Sequence, residues 1–342
     1  MPDFPYINAR VRAMRSRLLD AGRMEELLAL PTLEAFMQAL NNTPYAREVQ
    51  EALTRHTGLR AIDEALGRNF YHTTTKILSF ADGKARALIE AVLVRWDLAN
   101  VRLILRAKHT GRPDNEIIAN LVPAGGLSEV ALRELASQPD IAGVVGALGG
   151  LDHPFAAPLS EGMAAYRESN DLLHLELRLD RFYVAHGFRV AGGHGYSEQV
   201  VRRLLELELA ATNLKTALKL HRAGPLSREQ KLAFFIGGGI VTEDLFLVLA
   251  DPATVDQGMK ALRVHGFPMK SVGEDLLAFE RALDVELIRA QAGLYLADPL
   301  AIDVVIAYLA MKYNEVVNLR LIAHSKALGI PRDRVRKEMV SV

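Results

Sequence analysis

The sequence contains no cysteine in its 342 residues. That excludes a disulfide framework, a thiolate nucleophile and zinc-thiolate centres, and it fits a reducing compartment such as the cytoplasm. Net charge is missing too: 41 Lys and Arg stand against 41 Asp and Glu, so no global field draws the chain to nucleic acid or to an anionic membrane. Long apolar runs are also absent. Leu232 to Thr242 is uncharged but holds three glycines, and Leu294 to Met311 is broken by Asp298, Pro299 and Asp303. Neither reaches the roughly 20 apolar residues that span a bilayer. The N-terminus carries Asp3 and Arg10 without an apolar core segment, so no signal peptide is expected. What is present is apolar material, 50% of the residues, ample for a large core. It lacks the sustained alternation of strands, so the expected class is all-α.

The apolar material is organised as a repeat. Asn100 is followed by a basic residue two places on, Arg102, by Gly111 at plus eleven, and by Gly125-Gly126 fourteen residues later. Asn213 is followed in the same register by Lys215, Gly224 and Gly238-Gly239, an ungapped offset of 113 residues. Asn318 repeats the beginning with Arg320, Gly329 and Pro331, which matches Pro113, before the sequence stops. Upstream, Pro31, Pro139 and Pro252 each precede an Ala-Leu pair by nearly the same distance, and a further Pro follows at Pro44, Pro154 and Pro268. Between these and the asparagines lies an apolar-Asp step at Ile62-Asp63, Leu179-Asp180 and Leu283-Asp284. Self-similarity at this period marks a repeat architecture. The spacing predicts an N-terminal helix over 1–23 and helical units over 24–127, 128–240 and 241–342.

Within them, residues 4–22 read as one helix stopped by Gly22, and Thr32 as a helix cap after the Pro31 break. Long helices are expected over 81–110, 197–223 and 299–328, ending at Gly111, Gly224 and near Gly329. Residues 186–196, with four glycines, are the expected mobile loop. Each unit is expected to close with an acid–base contact from Asp63, Asp180 or Asp284 to Arg102, Lys215 or Arg320.

No pattern carries catalysis. Gly125-Gly126 and Gly237-Gly238-Gly239 follow no strand and fit no phosphate-loop spacing, so they are read as turns or close helix approaches. The ten histidines form no HExxH or i, i+4 pair, and Ser160, Gly162 and Ser169 form no nucleophile elbow. No cofactor, metal or catalytic residue is therefore expected. Asn costs a helix interior a few tenths of a kcal/mol relative to Ala, so the repeated amide needs a partner; the reading is a buried side chain satisfying backbone of a neighbouring turn. Arginines in the first helix, and Arg332, Arg334, Arg336 and Lys337 at the end, read as solvated faces and as the best polar candidates for a partner.

Tyr6-Ile7-Asn8-Ala9-Arg10-Val11-Arg12, Thr43-Pro44-Tyr45, Asp97-Leu98-Ala99-Asn100-Val101, Pro123-Ala124-Gly125-Gly126-Leu127 and Glu176-Leu177-Arg178-Leu179-Asp180 together resemble the C subunit of prokaryotic V-type or A-type ATPases, the family of the d subunit in vacuolar enzymes. The likeness covers essentially the whole chain, although Lys219-Leu220-His221 and His324-Ser325-Lys326 depart from the Arg106-Ala107-Lys108 ending. It implies a funnel of three helical units seated on the membrane rotor ring and receiving the central shaft. Such a protein is a non-catalytic coupling, peripheral on the cytoplasmic side, touching membrane only through the ring, with no small-molecule substrate and no nucleic acid. The competing classes are a soluble helical-repeat adaptor for another protein or peptide and an enzyme with an unrecognised helical site.

Overall fold

Short helices begin where a side-chain oxygen can take an orphan backbone amide. In this computed structural model, which describes residues 4–221, 223–269 and 275–342, Asp20 accepts the Arg23 amide at 2.7 Å and Thr32 that of Ala35 at 3.2 Å. Ser128, Asp140 and Thr242 do the same for Ala131, Gly143 and Leu245. Among the described residues the chain is helical, with no strand.

After α1 (Phe4–Arg15), similar series follow one another. The first is α2 (Ala21–Ala29), α3 (Leu33–Leu40), α4 (Ala46–Leu53), α5 (Gly58–Leu78, with Asp63), α6 (Gly83–His109, with Asn100) and α7 (Asp114–Ala119). The second is α8 (Glu129–Ala136), α9 (Ile141–Gly150), α10 (Ala156–Ser169), α11 (Leu173–Val190, with Asp180), α12 (Tyr196–Leu220, with Asn213) and α13 (Arg228–Ala233). The last comprises α14 (Glu243–Leu249), α15 (Val255–Val264), α16 (Leu276–Gly293, with Asp284), a 3₁₀ turn at Leu294–Leu296, α17 (Asp303–Leu328, with Asn318) and α18 (Arg332–Glu338).

Packing cuts the chain differently. Residues up to His153 and Leu294–Val342 form one compact unit, and Pro154–Gly293 a second. In the first, α5 lies between α4 and α17, and α1 runs along α17. Every residue from Ala301 to Ala310 is buried, so α17 is a core helix with no solvent face at its start. The sole tryptophan, Trp96, meets Phe70 and Tyr313 at centroid distances of 5.2 and 5.9 Å, edge contacts worth about 1 kcal/mol each beyond burial. In the second unit, α10 packs on α11, and α12 on α14 and α16, around Leu214, Phe246, Leu262, Phe279 and Leu283.

Gly111 (φ +67°) and Gly329 (φ +65°) turn the chain out of α6 and α17 in the left-handed conformation. Arg112 donates to the Ala107 carbonyl and Ile330 to that of Ser325, the bonds of a Schellman cap. A Cβ at either glycine would meet nothing within 4 Å, so the backbone angle alone selects glycine there. α12 ends earlier, at Leu220, and Gly224 (φ +81°) bends the chain after it.

Two sequence expectations are corrected. Residues 4–22 are not one helix: α1 ends at Arg15, and Gly22 lies in the first turn of α2. The Leu19 amide is claimed by Glu315 at 2.5 Å and Asp20 caps the next helix, so tertiary bonds replace the helical ladder. Residues 186–190 are not loop: α11 continues to Val190, with Tyr183, Val184 and Gly187 keeping its buried face.

Candidate functional site

The three repeated asparagines perform one act. Asn100 on α6 donates from Nδ2 to the Val122 carbonyl at 2.7 Å and accepts the Val122 amide on Oδ1 at 2.8 Å. Asn213 on α12 grips Ile236 in the same way, at 2.9 and 3.1 Å. Asn318 on α17 grips Val340 at 2.8 and 3.1 Å. A primary amide matches a peptide group donor to acceptor without carrying charge. The gripped residue is apolar and lies 22 or 23 positions downstream. In the first two cases it belongs to the segment leading to the next capped helix, and in the third to the tail. At buried Ile236 both backbone groups would otherwise lack partners, a loss of about 1–3 kcal/mol each.

Beside the first clamp, the Asp97 carboxylate accepts the amides of Gly126 and Leu127 at 2.7 and 3.0 Å. The turn comes so close that a Cβ at Gly125 would stand 2.3 Å from the carboxylate, well inside contact distance. Gly125 is therefore glycine because the backbone must approach an acid, and the acid is held by amides, not offered to a ligand.

Three residues before Asn318, at the place of Asp97, stands Glu315. It accepts the Leu19 amide, the Tyr45 hydroxyl at 2.6 Å and the Lys312 ammonium at 2.8 Å. Lys312 also donates to the Tyr45 oxygen at 2.9 Å and lies 4.1 Å from its ring centroid. One helical turn along α4, buried Glu48 is met by Asn69 at 3.0 Å and His72 at 2.9 Å. Burial raises the Tyr45 phenol well above its ordinary range, reinforced by the charge of Glu315. Burial lowers the Lys312 ammonium, opposed by Glu315. Sequence reading missed this cluster. Its signal was a Lys and a Glu three apart inside the apolar run of α17.

The acid–base contacts join helices of different series. Asp63 of the first is held by Arg320 of the last at 2.9 Å, with His324 at 3.1 Å. Asp284 of the last meets Lys215 of the second at 2.5 Å, next to Lys219–Glu280 at 2.9 Å. The expected partners within one repeat are thus replaced for both aspartates: α17 packs on α5 and α16 on α12. Asp180 sits on α11.

At the C-terminus, Arg336 forks onto Glu25 at 2.9 and 2.8 Å, and Lys326 donates to the Leu28 and Leu30 carbonyls at the end of α2. The Arg336 bonds hold the Glu25 carboxyl below its usual range. Of the basic cluster, Arg332 and Arg336 are thus spent within the molecule. A cavity of about 380 Å³ lies between α5, α7 and α8, lined by Asp63, Glu64, Arg68, Ile118, Leu121 and Glu129 among others. Of its charges, Arg68 pairs with Glu64 at 3.3 Å and with Glu129 at 3.3 Å. Among the described residues no three His, Asp or Glu converge as a metal set, and no helix is long and apolar enough to cross a membrane.

The chain is similar along nearly its full length to known proteins. The C subunit of the V-type ATP synthase of Deinococcus radiodurans is 31% identical over 340 residues, covering 99% of this chain and 92% of that protein. The subunit of the same name from Thermus thermophilus is 33% identical over 343 residues, covering 99% and 98%. The C subunit of the A-type ATP synthase of Halorubrum lacusprofundi is 29% identical, covering 98% and 97%. The model of the family described as ATP synthase (C/AC39) subunit matches residues 7–338, the span that holds all three clamping asparagines, and the chain belongs to that family.

Proposed function

We propose that this protein is the non-catalytic central-stalk subunit of a rotary V-type ATPase or synthase, joining the central shaft to the membrane rotor ring. ATP hydrolysis or synthesis is thereby linked to proton or sodium movement. The observation that carries this reading is the family match over residues 7–338, because it takes in nearly the whole repeat series. On this reading the repeats over 24–127, 128–240 and 241–342 form a funnel about a pseudo-threefold axis that seats the shaft. The protein is peripheral on the cytoplasmic side and touches the bilayer only through the ring.

The side-chain chemistry supports a mechanical role. A torque-bearing body needs stiff helices fixed by directional bonds, and the same two-bond amide clamp ties a downstream segment to a long helix three times. The test is ATP-driven ion uptake by vesicles carrying the assembled enzyme, with and without this subunit. Removing it should abolish uptake while ATP hydrolysis by the remaining head persists, and the isolated chain should hydrolyse no ATP. Undiminished uptake without it would overturn the reading and favour a soluble adaptor.

A further inference from the structure

α1 carries Arg10, Arg12 and Arg15 and no acidic residue, and Arg17 follows it. All four are exposed. Among the described residues none of them has a carboxylate partner, whereas Arg23, Arg47, Arg86, Arg112, Arg133 and Arg336 each hold one. In a chain of zero net charge this is a local concentration of unspent cation. Three of the guanidiniums are nonetheless held against rings. Arg10 lies 5.0 Å from the Phe80 ring centroid and 5.7 Å from that of Tyr6, while Arg12 and Arg15 lie 5.4 and 4.1 Å from that of Tyr295. Stacking on a ring holds the cation in place without using its N–H donors.

Next to Arg12 and Arg15, through Tyr295, is exposed apolar surface. Buried Asn8 of α1 donates to the Pro299 and Ala301 carbonyls at 2.9 and 2.8 Å, which fixes residues 294–301 against the helix. That segment exposes Leu296 by 89% and Leu300 by 63%, and Tyr6 is exposed by 51%. We infer that this face docks a segment of a partner protein that presents carboxylates to Arg12 and Arg15 and an apolar side chain to Leu296 and Leu300. The inference rests on the reading of the chain as a subunit that assembles with others.

Charge complementarity selects carboxylates, since a positioned guanidinium binds them through two parallel bonds. The composition selects a protein over a lipid surface. Protein interfaces are rich in Arg and aromatics and poor in Lys, and neither α1 nor 294–301 contains lysine.

The experiment uses the full chain and membranes bearing the rest of the ATP synthase, stripped of this subunit. The variant R12E/R15E should bind them about tenfold or more weakly at low salt and lose most of the wild-type salt dependence. Because the natural chain has no cysteine, Leu296→Cys gives a single attachment point for a photo-cross-linker, and the captured peptide should belong to another protein of the complex and contain Asp or Glu. Failure of the wild-type protein to rebind overturns both this inference and the functional reading. Wild-type rebinding with an R12E/R15E variant indistinguishable at every salt concentration overturns the inference alone. So does equal wild-type binding to protein-free phosphatidylglycerol vesicles, or a captured peptide without acidic residues. Should R12E/R15E fail to fold by circular dichroism, the Leu296→Cys capture decides.

Discussion

Six and three residues before Asn213 stand Leu207 and Ala210; the same positions before Asn318 hold Lys312 and Glu315. The amide clamps that follow are alike to within 0.1 Å in both bonds. The clamp is thus independent of charge around it, and the carboxylate is a separate device for tying in a further segment. At Asp97 that segment is the turn of Gly126 and Leu127. At Glu315 it is the linker at Leu19, which joins α1 to the first repeat. The α12 helix carries alanine there and has no such tie to make.

Breaking the charged cluster is expected to have the largest effect. Lys312→Met leaves Glu315 buried without its counter-ion and should cost about 3–5 kcal/mol. The double variant Lys312→Leu/Glu315→Ala, which imports the surroundings of Asn213 in kind, should cost less than the sum of the single changes. Urea unfolding followed by the fluorescence of Trp96, which lies in the same unit, measures both. Strict additivity would show that the cluster is not coupled.

The clamps come next. Asn213→Ala strands the amide and carbonyl of Ile236 at a site with 0% exposure and should cost about 2–4 kcal/mol. Asn318→Ala should cost less, because the Val340 carbonyl also accepts from Asn314 at 2.8 Å. Hydrogen exchange at the Ile236 and Val340 amides reads the difference directly. Equal acceleration at both would remove the ranking.

The two regions should also differ in alkali. Burial raises the phenols of Tyr45 and Tyr308 above the ordinary value. The folded state then keeps protons that the unfolded chain releases above about pH 10, so stability is present below that pH and is lost as pH rises toward the folded values. The slope is up to about 1.4 kcal/mol per pH unit for each phenol. Lys312 acts oppositely, since its lowered ammonium makes stability rise with pH, but only up to the ordinary lysine value near 10.4. Between about pH 10.5 and 11.5 the Trp96 transition should therefore weaken. Tyr45→Phe and Tyr308→Phe should each flatten that dependence.

The ion pairs give the smallest contrast. Asp284, 57% exposed, should yield at most about 1 kcal/mol on change to Asn. Asp63, 22% exposed and shared by Arg320 and His324, should yield somewhat more. Denaturant midpoints with and without added salt check the order.

Much of this was legible in the sequence because it depended on local spacing. Asn at fixed distance from a left-handed glycine, Thr32 before a helix and the apolar-Asp step are one-dimensional patterns. What was not legible depended on which helix lies against which. Nothing in the residues around Asp63 names Arg320, 257 positions away, and the pairing follows only from α17 packing on α5. Gly22 misled because a glycine stops a helix or sits in its first turn equally well, and only the Asp20 cap decides. Gly125 reads in the sequence as a turn or a close helix approach; the group that comes close, Asp97, lies across a gap of 28 residues.

The route of the chain also sets a schedule. Residues up to His153 are completed by α17, which ends at Leu328, about 175 residues later. At about 5–20 residues per second of synthesis that is a wait of roughly 9–35 s, during which the apolar faces of α1 and α5 have been made but their central partner has not. Pro154–Gly293 is contiguous and has no such wait. The middle of the chain is therefore expected to become protease-resistant on the ribosome before the beginning does, and nascent chains halted at Gly293 should show a resistant core beside a digestible N-terminal half.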